Sequence, residues 1–302
     1  MKTVTTIDAV RAWRRGVAGD VGFVPTMGSL HEGHLSLVRK AAAENEAVAA
    51  SIFVNPAQFD DPEDLARYPR DPERDAALLA EAGCDLLFLP EPAELYPPGF
   101  ETWVMPGPVA EPLEGASRAG HFVGVDTVVL KLLNIVQAQQ AYFGQKDAQQ
   151  VAVISAMARD LNVPTTIVPC PTVREADGLA MSSRNARLSP EERAAAPVLH
   201  RALQAARSAL FEGERDAEAL RALMRTVIEA EPLAKIDYVS VADLATLREL
   251  ATIRLDEDGG VLLSMAVFVG PVRLIDNLPV RAAETTAPHH TRDTTPAERS
   301  GA

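Results

Sequence analysis

The stretch FVPTMGSLHEGHLSLVRKA, residues 23–41, decides the fold that we predict for this chain. A short apolar run leads into a turn that contains Gly28, and a helical pattern starts near Gly33. A buried strand followed by a glycine turn and a helix is the unit from which parallel α/β sheets are built. Two histidines, His31 and His34, lie where the turn meets the helix. What these histidines face is the first functional question that the sequence raises.

The alternation of strand and helix continues through the first half of the chain. Strands are predicted at 21–25, 47–55, 84–90, 140–144 and 165–171, and helices at 33–45, 71–83, 123–137 and 147–162. Strands that alternate with helices in this way predict an α/β fold with a Rossmann-like parallel sheet flanked by helices. Ligands bind beyond the carboxyl ends of the strands in such sheets, so the loops after the strands are where site residues are expected.

The pattern changes after about residue 173. Long helices are predicted at 189–213 and 216–230, and short strands that follow them predict a small antiparallel sheet. The last residues are rich in Thr, Pro and Ala and have no periodicity, which is typical of disorder. We therefore expect an α/β domain over residues 1–173, a smaller α+β C-terminal domain over 174–281 and a disordered tail over 282–302.

Composition narrows the class of protein. The chain has 302 residues, 47% of them hydrophobic, and a net charge of −13, which argues against a nucleic-acid-binding protein. A local basic pocket for ATP is compatible with that balance. Two distant cysteines, Cys84 and Cys170, predict neither a disulfide framework nor a zinc site. Without a secretory signal or a long apolar run, we expect a soluble cytoplasmic protein with no membrane partner.

The histidine pair does not match a zinc motif. A zinc-protease helix has its histidines four apart in H-E-x-x-H, whereas His31 and His34 are three apart and have no third ligand nearby. An arbitrary pair of histidines would most often lie on the surface or cap a helix. Here the glycines Gly28 and Gly33 and a helix N-terminus accompany the pair, which favours a phosphate site. The segment is neither a Walker loop nor a G-x-G-x-x-G turn.

Three further segments follow predicted strands. FGQKDAQQ, residues 143–150, places Lys146 at a strand end and Gln150 one helical turn later, although a solvated lysine is the simpler interpretation. VREADGLAMSSRN, residues 173–185, offers hydroxyls and a guanidinium that suit a mobile phosphate-covering loop, or else a linker with helix-capping serines. No G-x-S-x-G motif accompanies these serines, so a nucleophile elbow is not supported. SIFVNPAQFD, residues 51–60, places amides at the same edge.

Five segments together resemble the pantoate–β-alanine ligase family. They occur in the family's order, the resemblance covers about residues 1–280, and the five in combination are far more specific than any one of them. The segments are PTMGSLHEGHLSLVRKA (25–41), FVNPAQFDDPEDLARYPRD (53–71), GASRAGHFVGVDTVVLKLLNIVQ (115–137), YFGQKDAQQ (142–150) and VREADGLAMSSRN (173–185).

The resemblance implies a reaction in two steps. The carboxylate of pantoate attacks the α-phosphate of Mg²⁺-ATP, which gives pantoyl adenylate and pyrophosphate. The amine of β-alanine then attacks the adenylate, which releases pantothenate and AMP. The family also implies a homodimer whose smaller C-terminal domain acts as a lid over the active site.

The resemblance also assigns roles to individual residues. His34 matches the catalytic proton donor, His31 its phosphate-stabilising companion, and Lys146 and Arg184 the other catalytic cations. Gln58 matches a residue that holds pantoate and lies near β-alanine, Gln150 a second pantoate residue, and Arg118 is a weaker match. The ATP-binding positions are Met27, Gly28, Ser29, Leu30, His31, Glu32, Gly33, His34, Gly144, Gln145, Lys146, Asp147, Val173, Met181, Ser182, Ser183 and Arg184.

Two other functions are weighed against this one. Other small-molecule nucleotidyltransferases share the H-x-G-H geometry but lack the paired glutamines, and a tRNA synthetase would need a basic RNA-binding domain. A non-catalytic nucleotide-sensing module would be expected to have lost a donor, whereas every donor is present. Asp126 is a mild departure from the family, because it puts a charge on a helix where a small or apolar residue is expected.

Overall fold

The structure, a computed structural model, describes residues 1–59, 62–255 and 259–281. Within these ranges six parallel strands form one sheet in the order β1-β4-β3-β2-β5-β6, and three antiparallel strands form a second sheet in the order β7-β8-β9. The strands are β1 (Lys2–Val4), β2 (Val21–Thr26), β3 (Ala47–Ile52), β4 (Leu86–Phe88), β5 (Gln140–Gly144), β6 (Thr166–Cys170), β7 (Ala234–Asp243), β8 (Val261–Val269) and β9 (Val272–Val280). The predicted fold class is confirmed.

Helices cover both faces of the parallel sheet and one face of the antiparallel sheet. They are α1 (Ile7–Arg15), α2 (Glu32–Glu44), α3 (Pro62–Arg67), α4 (Pro72–Glu81), α5 (Pro92–Leu95), α6 (Glu114–Ser117), α7 (His121–Val136), α8 (Ala148–Asp160), α9 (Pro190–Ala195), α10 (Val198–Phe211) and α11 (Ala217–Glu229). None of the helices in the described ranges combines the length and apolar character that crossing a membrane requires.

Strand β2 lies in the middle of the parallel sheet and explains why the opening stretch dominates the prediction. Successive side chains of a strand point to opposite faces, so Phe23 packs into one hydrophobic cluster and Val24 into another. Both residues are fully buried. A strand that is covered on both faces is apolar throughout rather than alternating, as residues 21–25 are.

The order in which the chain adds strands to the sheet reverses after β4, so that β5 lies on the other side of β2. From β2 the chain moves to β3 and then β4 on one side, and β5 and β6 lie on the other side. The segments that follow β2 and β5 therefore meet at the carboxyl edge, on either side of this switch point, where α/β sheets bind ligands. The H-x-G-H segment follows β2 and the Lys146 segment follows β5.

The C-terminal part has a hydrophobic core of its own. Helices α10 and α11 pack on one face of the three-stranded sheet, around residues such as Leu203, Met224 and Met265. The other face turns toward the parallel sheet, where Leu262 contacts a small cluster that includes Ala148 on α8. The domain boundary at residue 173 stays a prediction, and the tail, 282–302, lies outside the described residues.

Several elements differ from their predicted bounds. The helix expected over 189–213 is two helices, because Pro197 has no N–H to donate and separates α9 from α10. The strand expected over 47–55 ends at Ile52, and a single 3-10 turn starts after Asn55. Strand β1 and helix α1 were not predicted: β1 is only three residues long, and the helical spacing of Ile7, Val10 and Trp13 in α1 was overlooked.

Candidate active site

The predicted site segments converge on one cavity of about 240 Å³ at the carboxyl edge of the parallel sheet. The sequence-predicted residues that line it are Met27, His31, Gly33, His34, Gln58, Arg118, Gly144, Lys146, Asp147, Gln150, Val173, Met181, Ser182, Ser183 and Arg184. Five predicted ATP-binding residues do not line it: Gly28, Ser29, Leu30, Glu32 and Gln145. Most of the predicted set is thus brought together from five separate parts of the chain.

The turn before the histidines is held by a buried carboxylate. Gly28 and Ser29 have positive φ angles of 83° and 51°. The main-chain N–H groups of Ser29 and Leu30 donate to the two oxygens of Asp75, over 2.7 and 2.9 Å. Asp75 lies on α4 and is 1% exposed. The three turn residues that do not line the cavity therefore shape the loop, and Glu32 is exposed and pairs with Arg39.

The two histidines cap the helix that they introduce. His31 is the N-cap residue of α2, and its Nδ1 atom accepts from Gly33 N over 3.1 Å. In return, His34 Nδ1 accepts from His31 N over 3.4 Å. An Nδ1 atom that accepts places the ring proton on Nε2 in the neutral form. Capping and ligand binding are therefore compatible, because each ring keeps an Nε2–H donor for the cavity.

The cavity keeps both imidazoles neutral. Desolvation, followed by the repulsion that would arise if both rings were protonated, lowers the pKa of His34 to about 3. Desolvation and the positive charge of Lys146 also lower the pKa of His31. At pH 7 the rings therefore act as neutral hydrogen-bond donors at the N-terminus of α2, where the helix dipole favours an anion.

Lys146 is one of three cationic side chains that line the cavity, with Arg118 and Arg184. It lies in the 3-10 turn that directly follows β5, its side chain is 18% exposed, and its Nζ atom lies 3.4 Å from Asp147 Oδ1. Burial alone would raise the pKa of Asp147, but the charge and hydrogen bond of Lys146, together with the charge of Arg184, hold the pKa below its usual value. A lysine and an ionised carboxylate therefore stand together beside the histidines.

Gln58 is oriented by a network that starts at Asn55. Asn55 Nδ2 donates to Gln58 Oε1 over 3.0 Å and to the main-chain oxygen of Gly124 over 3.1 Å. Gln58 Nε2 in turn points at the sulfur of Met27, over 3.2 Å. Helix α7 lies so close to the 3-10 turn Pro56–Gln58 that a Cβ atom on Gly124 would lie 2.2 Å from the main-chain oxygen of Ala57. The side chain of Gln58 is thus fixed before any ligand arrives.

Arg118 and His121 both contact the main-chain oxygen of Gln58. His121 Nδ1 lies 2.9 Å from Gln58 O, and Arg118 donates to that oxygen over 3.2 Å. Arg118 also lies 3.2 Å from the His121 ring. The arginine therefore lines the cavity and supports Gln58 at once.

The Ser-rich segment forms a hairpin over the cavity. Met181 N donates to Val173 O over 3.0 Å, and Arg174 and Ala180 form an isolated antiparallel bridge. Ser182 then caps the 3-10 turn Ser183–Arg187 through Arg184 N. These contacts bring Val173 and Arg184 to the same cavity.

Sequence reasoning missed three contributors to this site. Asp75 looks like any acidic residue in the first turn of a helix, and its contact with the Gly28 turn spans 45 residues of sequence. Tyr68 lines the cavity, where burial raises the pKa of its hydroxyl. Gly124 lies inside a helix and gives no turn signal. Only the three-dimensional contacts identify them.

A second cavity, of about 480 Å³, adjoins the first. It lies between the three-stranded sheet on one side and α6 and the Gln145–Asp147 turn on the other. Lys146, Gln150 and Arg184 line both cavities. The two form one cleft that reaches from the parallel sheet to the antiparallel sheet.

Asp126 lies outside this cleft. It is 1% exposed on α7, and neither carboxylate oxygen has a hydrogen-bond partner among the described residues. Burial raises the pKa of this carboxyl to about 7. The departure seen in the sequence therefore concerns packing and stability.

Comparison with known proteins is consistent with this geometry. A family model described as pantoate-beta-alanine ligase matches residues 2–279. The pantothenate synthetase of Herpetosiphon aurantiacus is 59% identical over 92% of this chain and 99% of its own, and that of Chloroflexus aurantiacus is 60% identical over 92% and 97%.

Two solved structures have the same fold as this chain. The pantothenate synthetase of Thermus thermophilus superposes with a TM-score of 0.86 at 49% identity, covering 92% of this chain and 99% of that one. The pantoate-beta-alanine ligase of Francisella tularensis, crystallised with β-γ ATP and β-alanine, has a TM-score of 0.74 at 35% identity over 92% and 97%. The chain described here belongs to the pantoate-beta-alanine ligase family.

Proposed function

We propose that this chain condenses pantoate with β-alanine to give pantothenate, at the cost of ATP. In the first step an oxygen of the pantoate carboxylate attacks the α-phosphorus of ATP, and the bond to pyrophosphate breaks. In the second, the amine of β-alanine attacks the acyl carbon of pantoyl adenylate, loses a proton and expels AMP. The observation that carries the proposal is the convergence of His31, His34, Lys146, Gln58 and Gln150 on one cleft.

The donors are placed for adenylation. Negative charge grows on the α-phosphate oxygens and on the bridging oxygen that leaves with pyrophosphate. Preorganised donors aimed at such charge are the usual source of catalysis. We assign this role to the Nε2–H groups of His31 and His34 and to the Lys146 ammonium group, with Arg184 and the serines of the hairpin closing over the triphosphate.

The amides are placed for the acid substrate. Gln58, held by Asn55, and Gln150, in the first turn of α8, are assigned to pantoate, and Gln58 also to β-alanine. Arg118 supports Gln58 from behind. No covalent nucleophile from the protein is needed, because the pantoate carboxylate itself attacks. A closed cleft has a chemical purpose here, since it keeps water from the adenylate.

Mg²⁺ enters this proposal with the nucleotide. The described residues contain no cluster of three or more His, Cys, Asp or Glu side chains that could hold a metal by themselves. Mg²⁺ in ATP sites is held mainly by phosphate oxygens and one or two carboxylates, and the ionised Asp147 fits the second part. Bound there, the ion would neutralise phosphate charge.

Three properties of the family are proposed for this chain as well. They are a homodimeric state, a cytoplasmic location, and a C-terminal domain over 174–281 that acts as a lid on an ATP- and pantoate-binding domain over 1–173. The larger cavity supports the lid, because residues from 1–173 and from 174–281 both line it. No nucleic-acid or membrane partner is proposed.

Pantoate-dependent release of pyrophosphate from Mg²⁺-ATP tests the function. We expect pyrophosphate with pantoate alone, and AMP and pantothenate only after β-alanine is added. If pantoate elicits no pyrophosphate with or without β-alanine, the ligase assignment is wrong. Transfer of a nucleotidyl group to other small acceptors would then favour a different nucleotidyltransferase, and binding of ATP without turnover a sensing module.

A further inference from the structure

The turn that carries Lys146 is held from the opposite sheet. Asn277, in β9, donates from Nδ2 to the main-chain oxygens of Gln145 and Lys146, over 2.9 and 2.8 Å. An amide group has two N–H bonds, so each hydrogen serves one carbonyl. Asn277 is 4% exposed, so these bonds are shielded from water.

The Asn277 side-chain oxygen gives no further reason for an asparagine at this position. Its Oδ1 atom is buried and accepts no hydrogen bond from any described residue. A buried acceptor without a partner costs free energy, so an apolar side chain would fill this place more cheaply. The two bonds to the Lys146 turn are therefore the contacts that account for an asparagine here.

The preceding residue reaches the other proposed ATP segment. Asp276 pairs with Arg174 through two hydrogen bonds of 2.6 and 2.9 Å, and it is 2% exposed. Arg174 follows Val173 and also donates to Gly178 O, inside the hairpin, over 3.0 Å. Asp276 Oδ1 accepts from Asn277 N over 2.7 Å, which joins the two arms. Two successive residues of β9 thus connect the Lys146 turn to the Ser-rich hairpin.

We infer that Asn277 is a positioning residue for adenylation, acting through Lys146. By fixing both carbonyls of the turn, it sets the point from which the Lys146 ammonium group reaches the phosphates. Asp276 fixes the position of the hairpin relative to the same turn. This inference rests on the proposed function, since it requires Lys146 to act on ATP.

Two variants of Asn277 test the inference in the full-length enzyme. Asn277→Ala removes the amide, and Asn277→Asp keeps its size but, when ionised, cannot donate to a carbonyl. A displacement of about 1 Å at a reacting group can cost about 100-fold in rate. We expect kcat for pantoate-dependent pyrophosphate release to fall about 10- to 100-fold in both variants. KM for pantoate should change less than kcat, because Gln58 is held by Asn55 and Gln150 by helix α8 rather than by the two carbonyls of the turn.

Ser240→Ala is the matched control. Ser240 lies in β7 of the same sheet, opposite the β8 residue that faces Asn277; it is equally buried, and its Oγ atom has no partner among the described residues. This variant perturbs the same sheet without touching the Lys146 turn or lining either cavity, so its kcat should match the wild type. Thermal unfolding of all variants separates loss of position from loss of fold.

A double mutant shows whether Asn277 acts through Lys146. If it does, adding Asn277→Ala to Lys146→Ala should lower pyrophosphate release by less than about threefold further. Losses that multiply, wild-type rates in both Asn277 variants, or failure of both to fold would each overturn the inference. A wild-type chain that releases no pyrophosphate would instead refute the proposed function, so the two failures are distinguishable.

Discussion

At the scale of single residues, the histidine pair shows how one side chain serves the fold and the site together. Each imidazole uses Nδ1 for a main-chain N–H at the start of α2, which leaves Nε2–H for the cavity. The low pKa of His34 follows from enclosure and from the neighbouring ring. The site therefore offers neutral imidazole donors at pH 7, and its positive charge comes from Lys146, Arg118 and Arg184.

His34→Ala should lower pantoate-dependent pyrophosphate release by about 100-fold or more, because one preorganised donor to the developing charge is lost. Steady-state kinetics with saturating ATP measures this. His34→Gln keeps an N–H at a similar reach and should retain more activity than the alanine variant. A near-wild-type rate in His34→Ala would remove this residue from the mechanism.

Asp126 makes stability depend on pH. Its pKa is raised from 3.8 to about 7 in the folded chain, so folding favours the protonated form. That contribution is complete below about pH 4 and is lost as the pH rises through 7, with a total of up to about 4 kcal/mol. Asp126→Leu should therefore raise Tm more at pH 8 than at pH 5.

Differential scanning calorimetry of wild type and Asp126→Leu at the two pH values tests this. Asp126→Asn, which keeps the shape but cannot ionise, serves as the control and should share the loss of pH dependence. An equal gain in Tm at both pH values would mean that packing, rather than charge, sets the cost of this residue.

Residues differ in how far sequence alone identifies them. His34 and Lys146 carry local signals, a motif and a strand end, and both were predicted. Asp75 and Asn277 carry none, because their functional contacts are with main-chain atoms distant in sequence. Hydrogen bonds to a backbone leave no pattern in the partner segment, so such residues emerge only from the folded chain.

At the scale of elements, close approach is what fixes the acid-binding side of the cleft. Helix α7 lies against the 3-10 turn Pro56–Gln58, and Gly124 makes that approach possible. The helix was predicted from its apolar periodicity, but its contact with this turn was not. Periodicity shows which face of a helix is buried, but it does not show which element covers that face. The elements were therefore more predictable than their contacts.

Gly124→Ala should displace the Pro56–Gln58 turn, because the new Cβ atom would lie 2.2 Å from Ala57 O. We expect KM for pantoate to rise about tenfold or more, with a loss of stability of about 1–3 kcal/mol from overpacking. Kinetics at varied pantoate and thermal unfolding measure the two effects. Gly107→Ala, at a position with φ −80° and open space around it, is the control. Unchanged kinetics in Gly124→Ala would show that the turn adapts.

At the scale of the whole molecule, an ion-pair network connects the antiparallel sheet to helix α6. Arg273 in β9 donates to both oxygens of Glu114 in α6, each over 2.8 Å, and to Asp237 in β7. Tyr238 also donates to Glu114, over 3.2 Å. The network borders the larger cavity, so it helps to set how the antiparallel sheet covers the cleft.

Arg273→Ala should leave two carboxylates partly buried without their cation. Breaking a buried pair costs about 3–5 kcal/mol, and partial exposure here lowers the expected loss to about 2 kcal/mol. Urea unfolding measures it, and hydrogen exchange should rise in α6 and β9. Arg159→Ala removes an exposed pair and should cost less than about 1 kcal/mol. Equal losses in the two variants would mean that the network does not hold the antiparallel sheet against α6.

The contact between Gln58 and Met27 has a consequence for how the acid substrate is received. A thioether sulfur is a weak acceptor, so the amide N–H that points at it makes only a weak hydrogen bond. Under the proposed function, a carboxylate that enters replaces the sulfur with a charged oxygen, and the new hydrogen bond is about twice as strong as a neutral one. Binding then replaces one hydrogen-bond acceptor with another at a side chain that is already buried and already oriented. Little rotational freedom of Gln58 is lost on binding, because Asn55 already fixes its amide, so the selectivity for an acid is built into the enzyme before the substrate arrives.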